Sequence, residues 1–192
     1  MGKAGSIKLL SNKAAEVCGQ IALSDDALKL LKADQGTLEF LDSLIGKERF
    51  PDAARFLARA LPKREAVWWA CKCIGLTAGD KAPAKRAAAL KAAEKWVADP
   101  TDENRQAAFP AAEAADFGTP EGCAAMAAFW SGGSLAPPNV PAVPPAEHLT
   151  AQGVAGAIML TAVQSEPEKA AEKFRRYFSV GIEIARGEGV SS

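Results

Sequence analysis

Charge of one sign, histidine, tyrosine and long apolar runs are all scarce in this chain. Lysine and arginine together number 23, as do aspartate and glutamate, so no bulk field exists to draw in nucleic acid or an anionic membrane. The longest apolar run, Val154 to Val163, is interrupted by Gly156 and Thr161 and is too short to cross a bilayer. The N-terminal stretch is broken at Ser11, Asn12, Lys13 and Glu16 before a secretory apolar segment can form. A soluble, cytoplasmic protein with no membrane insertion and no nucleic-acid partner is the expectation. The chain has one histidine, His148, and four cysteines, Cys18, Cys71, Cys73 and Cys123, in no framework spacing. Cys71 and Cys73 would point about 200° apart on a helix, so free thiols are expected and no metal site. No phosphate-cradling glycine loop, nucleophile elbow or zincin pattern occurs. The carboxylates, among them Glu65, Asp80, Asp99, Asp102, Glu103, Glu113 and Asp116, form no spaced pair on an apolar face. No catalytic residue and no cofactor are expected.

What the chain has in quantity is alanine, with few β-branched residues through its middle, a balance that favours helices. The fold class is all-α: an irregular multi-helix bundle with a proline-rich strap before the last two helices. One helical domain over residues 1–192 is expected, loosely ordered over 1–10 and frayed over 187–192. Start and stop signals predict helices from Ser11 or Asn12 to Cys18, Asp25 to Lys32, Thr37 to Gly46, Asp52 to Ala60, and Ala84 to Ala98. A further helix runs from Thr101 to Asp116, kinked or split near Ala108 by Pro110. Others begin at Thr119-Pro120, at Thr150 and at Glu166-Pro167. Residues 132–147, GGSLAPPNVPAVPPAE, favour an extended, polyproline-like path, and Leu135, Val140 and Val143 suggest packing on the protein's own surface. A partner's aromatic groove is the alternative place for them. Thr150 to Gln164, apolar nearly all round, belongs at the centre of the bundle. No repeat recurs at a steady period.

The stretch with most to say is Leu61 to Gly79, LPKREAVWWACKCIGLTAG. Pro62 suits a first helical position, and Gly75 and Gly79 weaken the far end, so the helix should stop near Ala78. At about 100° per residue, Ala66, Val67, Trp69, Ala70, Cys71, Cys73, Ile74 and Leu76 share the core arc. Arg64, Glu65, Trp68, Lys72 and Gly75 fall opposite. An indole among charges is the anomaly: either a terminal segment covers Trp68, or Trp68 is a binding anchor, since tryptophan and arginine dominate interface hot spots. The candidate partner-binding residues are Arg64, Glu65, Trp68 and Lys72. His148, beside Glu147 at a helix start, reads as a capping or strap contact.

The motif Leu61-Pro62-x-Arg64-Glu65-Ala66-Val67-Trp68-Trp69-Ala70, followed by Trp96 and Pro100, resembles an uncharacterised bacterial helical family, a domain of unknown function with an LP-x-REAVWWA signature. The resemblance covers roughly residues 50 to 130. It implies a place beside type VI secretion genes and an accessory or adaptor role near the secreted spike or its effectors, with a spike or effector component as protein partner. No catalytic residue is established for such a family, so none carries over. The leading expectation is a non-enzymatic interaction protein. The alternatives are an enzyme or secreted effector of unrecognised type, using Arg64, Glu65 or His148, and a helical domain that binds a small ligand in a tryptophan-lined pocket.

Overall fold

The computed structural model describes residues 7–77, 82–136 and 139–187. The first half runs α1 (Ala14–Cys18), α2 (Asp25–Leu28), α3 (Thr37–Gly46), α4 (Phe50–Ala60) and α5 (Lys63–Thr77). The second runs α6 (Ala84–Ala98), α7 (Asp102–Ala115), α8 (Pro120–Phe129), α9 (Leu149–Val163), a 3-10 turn at Pro167–Lys169 and α10 (Ala170–Ala185). Among the described residues the only β pairing is one isolated bridge, Lys13 with Gly36, so the fold is an all-α bundle. None of these helices is long and apolar enough to cross a membrane.

Local chemistry sets the helix starts. The hydroxyls of Ser24, Thr101 and Thr119 accept from the N–H groups of Ala27, Asn104 and Gly122, satisfying donors that lack an intrahelical partner. The Pro62 carbonyl already accepts from the Ala66 N–H at 2.9 Å, so this proline stands just before the first turn of α5 rather than in it. Only Leu61 and Pro62 link α4 to α5. Of the kink or split expected near Ala108, the split does not occur: α7 runs unbroken through Pro110. The carbonyl that Pro110 cannot satisfy is that of Gln106, four residues earlier, and both residues are exposed, so water can take the place of the missing N–H.

The buried residues form one continuous cluster. Helix α9 lies at its centre, against α4, α5, α8 and α10, where Gly153, Ala155 and Ala157 allow close approach. On one side α6, α7 and α8 pack on one another, largely through alanine. On the other, rings fill the space between α4, α5 and α10: Phe50 stacks on Phe174 at 5.1 Å, and Trp69 lies 6.1 Å from Phe178. Trp69 is fully buried and its indole N–H donates to the Tyr177 carbonyl at 2.7 Å. Gly181 lets α10 come this close, since a Cβ there would stand 2.5 Å from Leu57 Cδ2 and 3.0 Å from the Trp69 ring. Leu76, expected in the core, is exposed instead, although Ile74 in the same turn is buried. A buried ion pair joins three helices: Arg86 of α6 grips Glu121 of α8 through two bonds of 2.8 and 3.1 Å and also donates to Gln164 beyond α9 at 2.7 Å.

The segment that precedes α1 is fastened to the bundle. The Lys8 N–H donates to the Ala185 carbonyl at 2.7 Å and the Leu10 N–H to that of Ala60 at 2.8 Å, so residues 8–10, expected to be loose, are tied to α10 and α4. Residues 1–6 and 188–192, which take in the rest of the loose N-terminus and the frayed tail, lie outside the described residues, as do Ala78 and Gly79 at the expected end of α5.

Candidate partner-binding surface

The four candidates on α5 separate into two kinds. Arg64 is exposed, but its guanidinium donates to the Val97 carbonyl at 2.6 Å and weakly to that of Ala98 at 3.4 Å. These are among the last carbonyls of α6, which have no intrahelical donor and lie at the negative end of the helix dipole. Glu65 is mostly covered and pairs with Lys8 at 3.2 Å. Both side chains therefore fasten α5 to its surroundings, one to α6 and the other to the N-terminal segment.

Trp68 lies one turn on from Arg64 and, by helix geometry, between the directions of Arg64 and Glu65. Its indole is half-buried and packs against the edge of the core. The Lys72 ammonium sits over its ring, 5.5 Å from the centroid, a cation–π geometry. Lys72 itself is exposed. The structure thus places Trp68 between the two expected outcomes: one side of the ring is fixed by the protein, and the other is in water under a cation. Lys72 and the outer part of Trp68 are what this face offers to a partner.

A second feature follows from how the proline-rich strap is held. Arg105 of α7, only 3 % exposed, donates to the Phe129 carbonyl at 2.9 Å and to that of Ser134 at 3.3 Å, and pairs with Asp102 at 2.7 Å. Its guanidinium also lies 5.1 Å from the Phe129 ring centre. Gly133, at φ 64°, passes so close that a Cβ would sit 2.5 Å from the arginine. Lys63 at the start of α5 holds both ends of the strap, donating to the Ser131 carbonyl at 3.1 Å and pairing with Glu147 at 3.2 Å. Within the loop, the Leu135 N–H donates to the Val143 carbonyl at 2.8 Å, and the Val143 N–H to the Ser134 hydroxyl at 3.0 Å.

The strap was expected to pack its apolar residues on the protein. It does not: Leu135 is 37 % exposed, and Val140 and Val143 each 51 %. Its closing hydrogen bonds use the backbone and turn these side chains outward. Pro137 and Pro138 lie outside the described residues. His148 follows the strap at the start of α9, exposed and making no side-chain capping bond, so the capping expectation fails.

An aromatic ledge went unnoticed in the sequence. Phe109 and Phe117 are 38 % and 47 % exposed with ring centres 6.3 Å apart, and with Met126, Trp130 and Gly153 they border an open groove of about 400 Å³. The thiols show no activated nucleophile. Burial pushes Cys18 up to about 11 and raises Cys71, Cys73 and Cys123 as well, so all four are neutral thiols at pH 7.

A model of a family of unknown function (DUF6931) matches residues 40–185. The match extends beyond the 50 to 130 stretch that carries the tryptophan motif and takes in the strap, α9 and α10. No curated protein and no solved structure matches the chain.

Proposed function

The chain belongs to the DUF6931 family of unknown function, and from that premise we propose that it is a non-enzymatic interaction protein: an accessory factor for effector loading or spike assembly in bacterial type VI secretion. The observation that carries the interaction reading is the partly buried indole of Trp68 beneath Lys72. An indole already fixed on one side loses little freedom when a partner covers the other, which is the property of a hot-spot anchor. The link to secretion rests on the resemblance of the LP-x-REAVWWA motif alone. Arg64 and Glu65 act as positioning residues in this reading, because they hold α5 against α6 and the N-terminal segment and so fix where Trp68 faces.

The test is affinity purification of spike and effector components on the wild-type chain, on Lys72→Glu and on Trp68→Ala. Both variants should lose the same component, with Lys72→Glu keeping the wild-type melting curve because its side chain touches little besides the indole. Undiminished capture by both variants would refute the patch.

A further inference from the structure

The largest of the described cavities, about 540 Å³, lies away from the α5 face, between the α1–α2 connection, α4 and α9. Its wall is apolar where α9 passes: Ala151 and Ala155, one turn apart, leave the space, and Met159 and Ile21 border it further along. Small residues on α9 create this room, since a larger side chain at either alanine would fill it. The volume falls within the range of pockets that bury most of a small organic ligand.

Among the residues that line the cavity, Arg55 carries the charge, and His148, Gln20 and Gln152 supply the other polar groups. Arg55 and Arg59 stand one turn apart on the outer side of α4. Arg55 lines the cavity, and Arg59 donates to the amide oxygen of Gln20, which also lines it. His148 and Gln152 complete the rim from the first turn of α9. The carboxylate nearest Arg55 is Asp52, at 3.5 Å, and it is already committed: it accepts from the Ser24 N–H at 3.0 Å and the Ser24 hydroxyl at 2.8 Å. Glu147, beside His148, is turned toward Lys63 at 3.2 Å. One arginine, an imidazole and two side-chain amides therefore border an apolar floor, with Arg55 sharing Asp52 with Ser24 and Glu147 engaged elsewhere.

We propose that this cavity is a binding site for a small amphipathic carboxylate, its head held by Arg55 and His148 and its apolar body laid along Ala151, Ala155 and Met159. Arginine suits the head because its planar fork can meet a carboxylate with two parallel bonds. The body needs no specific partner, only removal from water. The site is separate from the Trp68 surface, and its occupancy does not depend on the interaction reading above.

The probes are decanoate, decan-1-ol and inorganic phosphate, each titrated into the full chain below any micelle threshold. Binding is read by calorimetry and by the imidazole proton resonances, which belong unambiguously to His148 as the only histidine. Decanoate should bind and shift those resonances. Decan-1-ol should bind at least about tenfold more weakly, the loss expected when a charge-assisted hydrogen bond is removed, and phosphate alone should not bind measurably. Arg55→Gln should weaken decanoate by about tenfold or more while leaving decan-1-ol unchanged. Gln152→Trp, at an exposed position on the rim, should block both long-chain probes without altering the fold. Equal binding of decanoate and decan-1-ol, binding of phosphate alone as tight as that of decanoate, unmoved His148 resonances at saturation, or no binding of decanoate at millimolar concentration would each overturn the proposal.

Discussion

The clamp on the strap makes the sharpest prediction, because Arg105 and Gly133 are coupled by a single close approach. Arg105→Ala removes the charged donor from the Phe129 carbonyl, a loss of about 1.5–3 kcal/mol for a hydrogen bond to a charged group. It also removes a cation–π contact of about 0.5–2 kcal/mol. The Asp102 side of the pair is 70 % exposed and adds less than about 1 kcal/mol. A destabilisation of about 3 kcal/mol is expected. Gly133→Ala strains a backbone at φ 64°, costing about 1–2 kcal/mol, and also drives a methyl to within 2.5 Å of the guanidinium. Once Arg105 is gone, only the backbone cost remains. The double variant should therefore be more stable than the sum of the two single effects, by about 1 kcal/mol in urea unfolding, the scale of coupling found between touching residues. Additivity within about 0.3–0.5 kcal/mol, or a cost below about 1 kcal/mol for Arg105→Ala, would refute the clamp.

Gly181→Ala should destabilise by about 1–3 kcal/mol, the usual cost of overpacking, since its methyl meets Leu57 and the Trp69 ring; thermal melts check this. Trp69→Phe removes the indole donor from the Tyr177 carbonyl, which keeps its partner within α10, and should cost about 0.5–1.5 kcal/mol for that bond, whereas Leu76→Ala, at an exposed position, should change the melt by less than about 0.5 kcal/mol. The buried thiols predict alkaline instability. With folded-state values raised above those of the unfolded chain, the unfolded chain loses its thiol protons first as pH rises past about 9, so stability falls from there upward, at no more than about 1.4 kcal/mol per pH unit for each thiol. The fall in urea midpoint between pH 7 and pH 10.5 should be smaller for Cys71→Ala with Cys73→Ala than for the wild type, and an equal fall would contradict the burial argument. Thiol labelling of the native protein should reach Cys123, the least buried, before the other three.

Much of the architecture was legible along the chain, because helix boundaries here are set by local chemistry. Ser24, Thr101 and Thr119 cap the helices they precede, Pro62 and Pro83 stand at helix starts, and the apolar residues of α9 and α10 announced a central helix and an amphipathic one. The two tryptophans of α5 could also be told apart, since a residue's direction on a helix follows from its position alone. Contacts between elements were not readable in this way. Nothing in the spacing of Arg64 and Glu65 says that one meets the end of α6 and the other Lys8, which turns two candidate contact residues into fasteners of α5. Arg105 looked like an ordinary helical arginine, and only the path of the chain through Gly133 buries it beneath the strap.

The division has a physical cause. Capping, proline placement and helical periodicity are decided within a few residues, so the sequence by itself determined that this is a helical bundle, which faces are apolar, and that Trp68 is out of place among charges. How much of Trp68 is covered, that Leu135, Val140 and Val143 are exposed, and that Arg55 and His148 border one cavity depend on residues distant in the chain arriving at the same place. Those outcomes belong to the tertiary structure, where the packing of α4, α5 and α9 fixes distances that no local preference encodes.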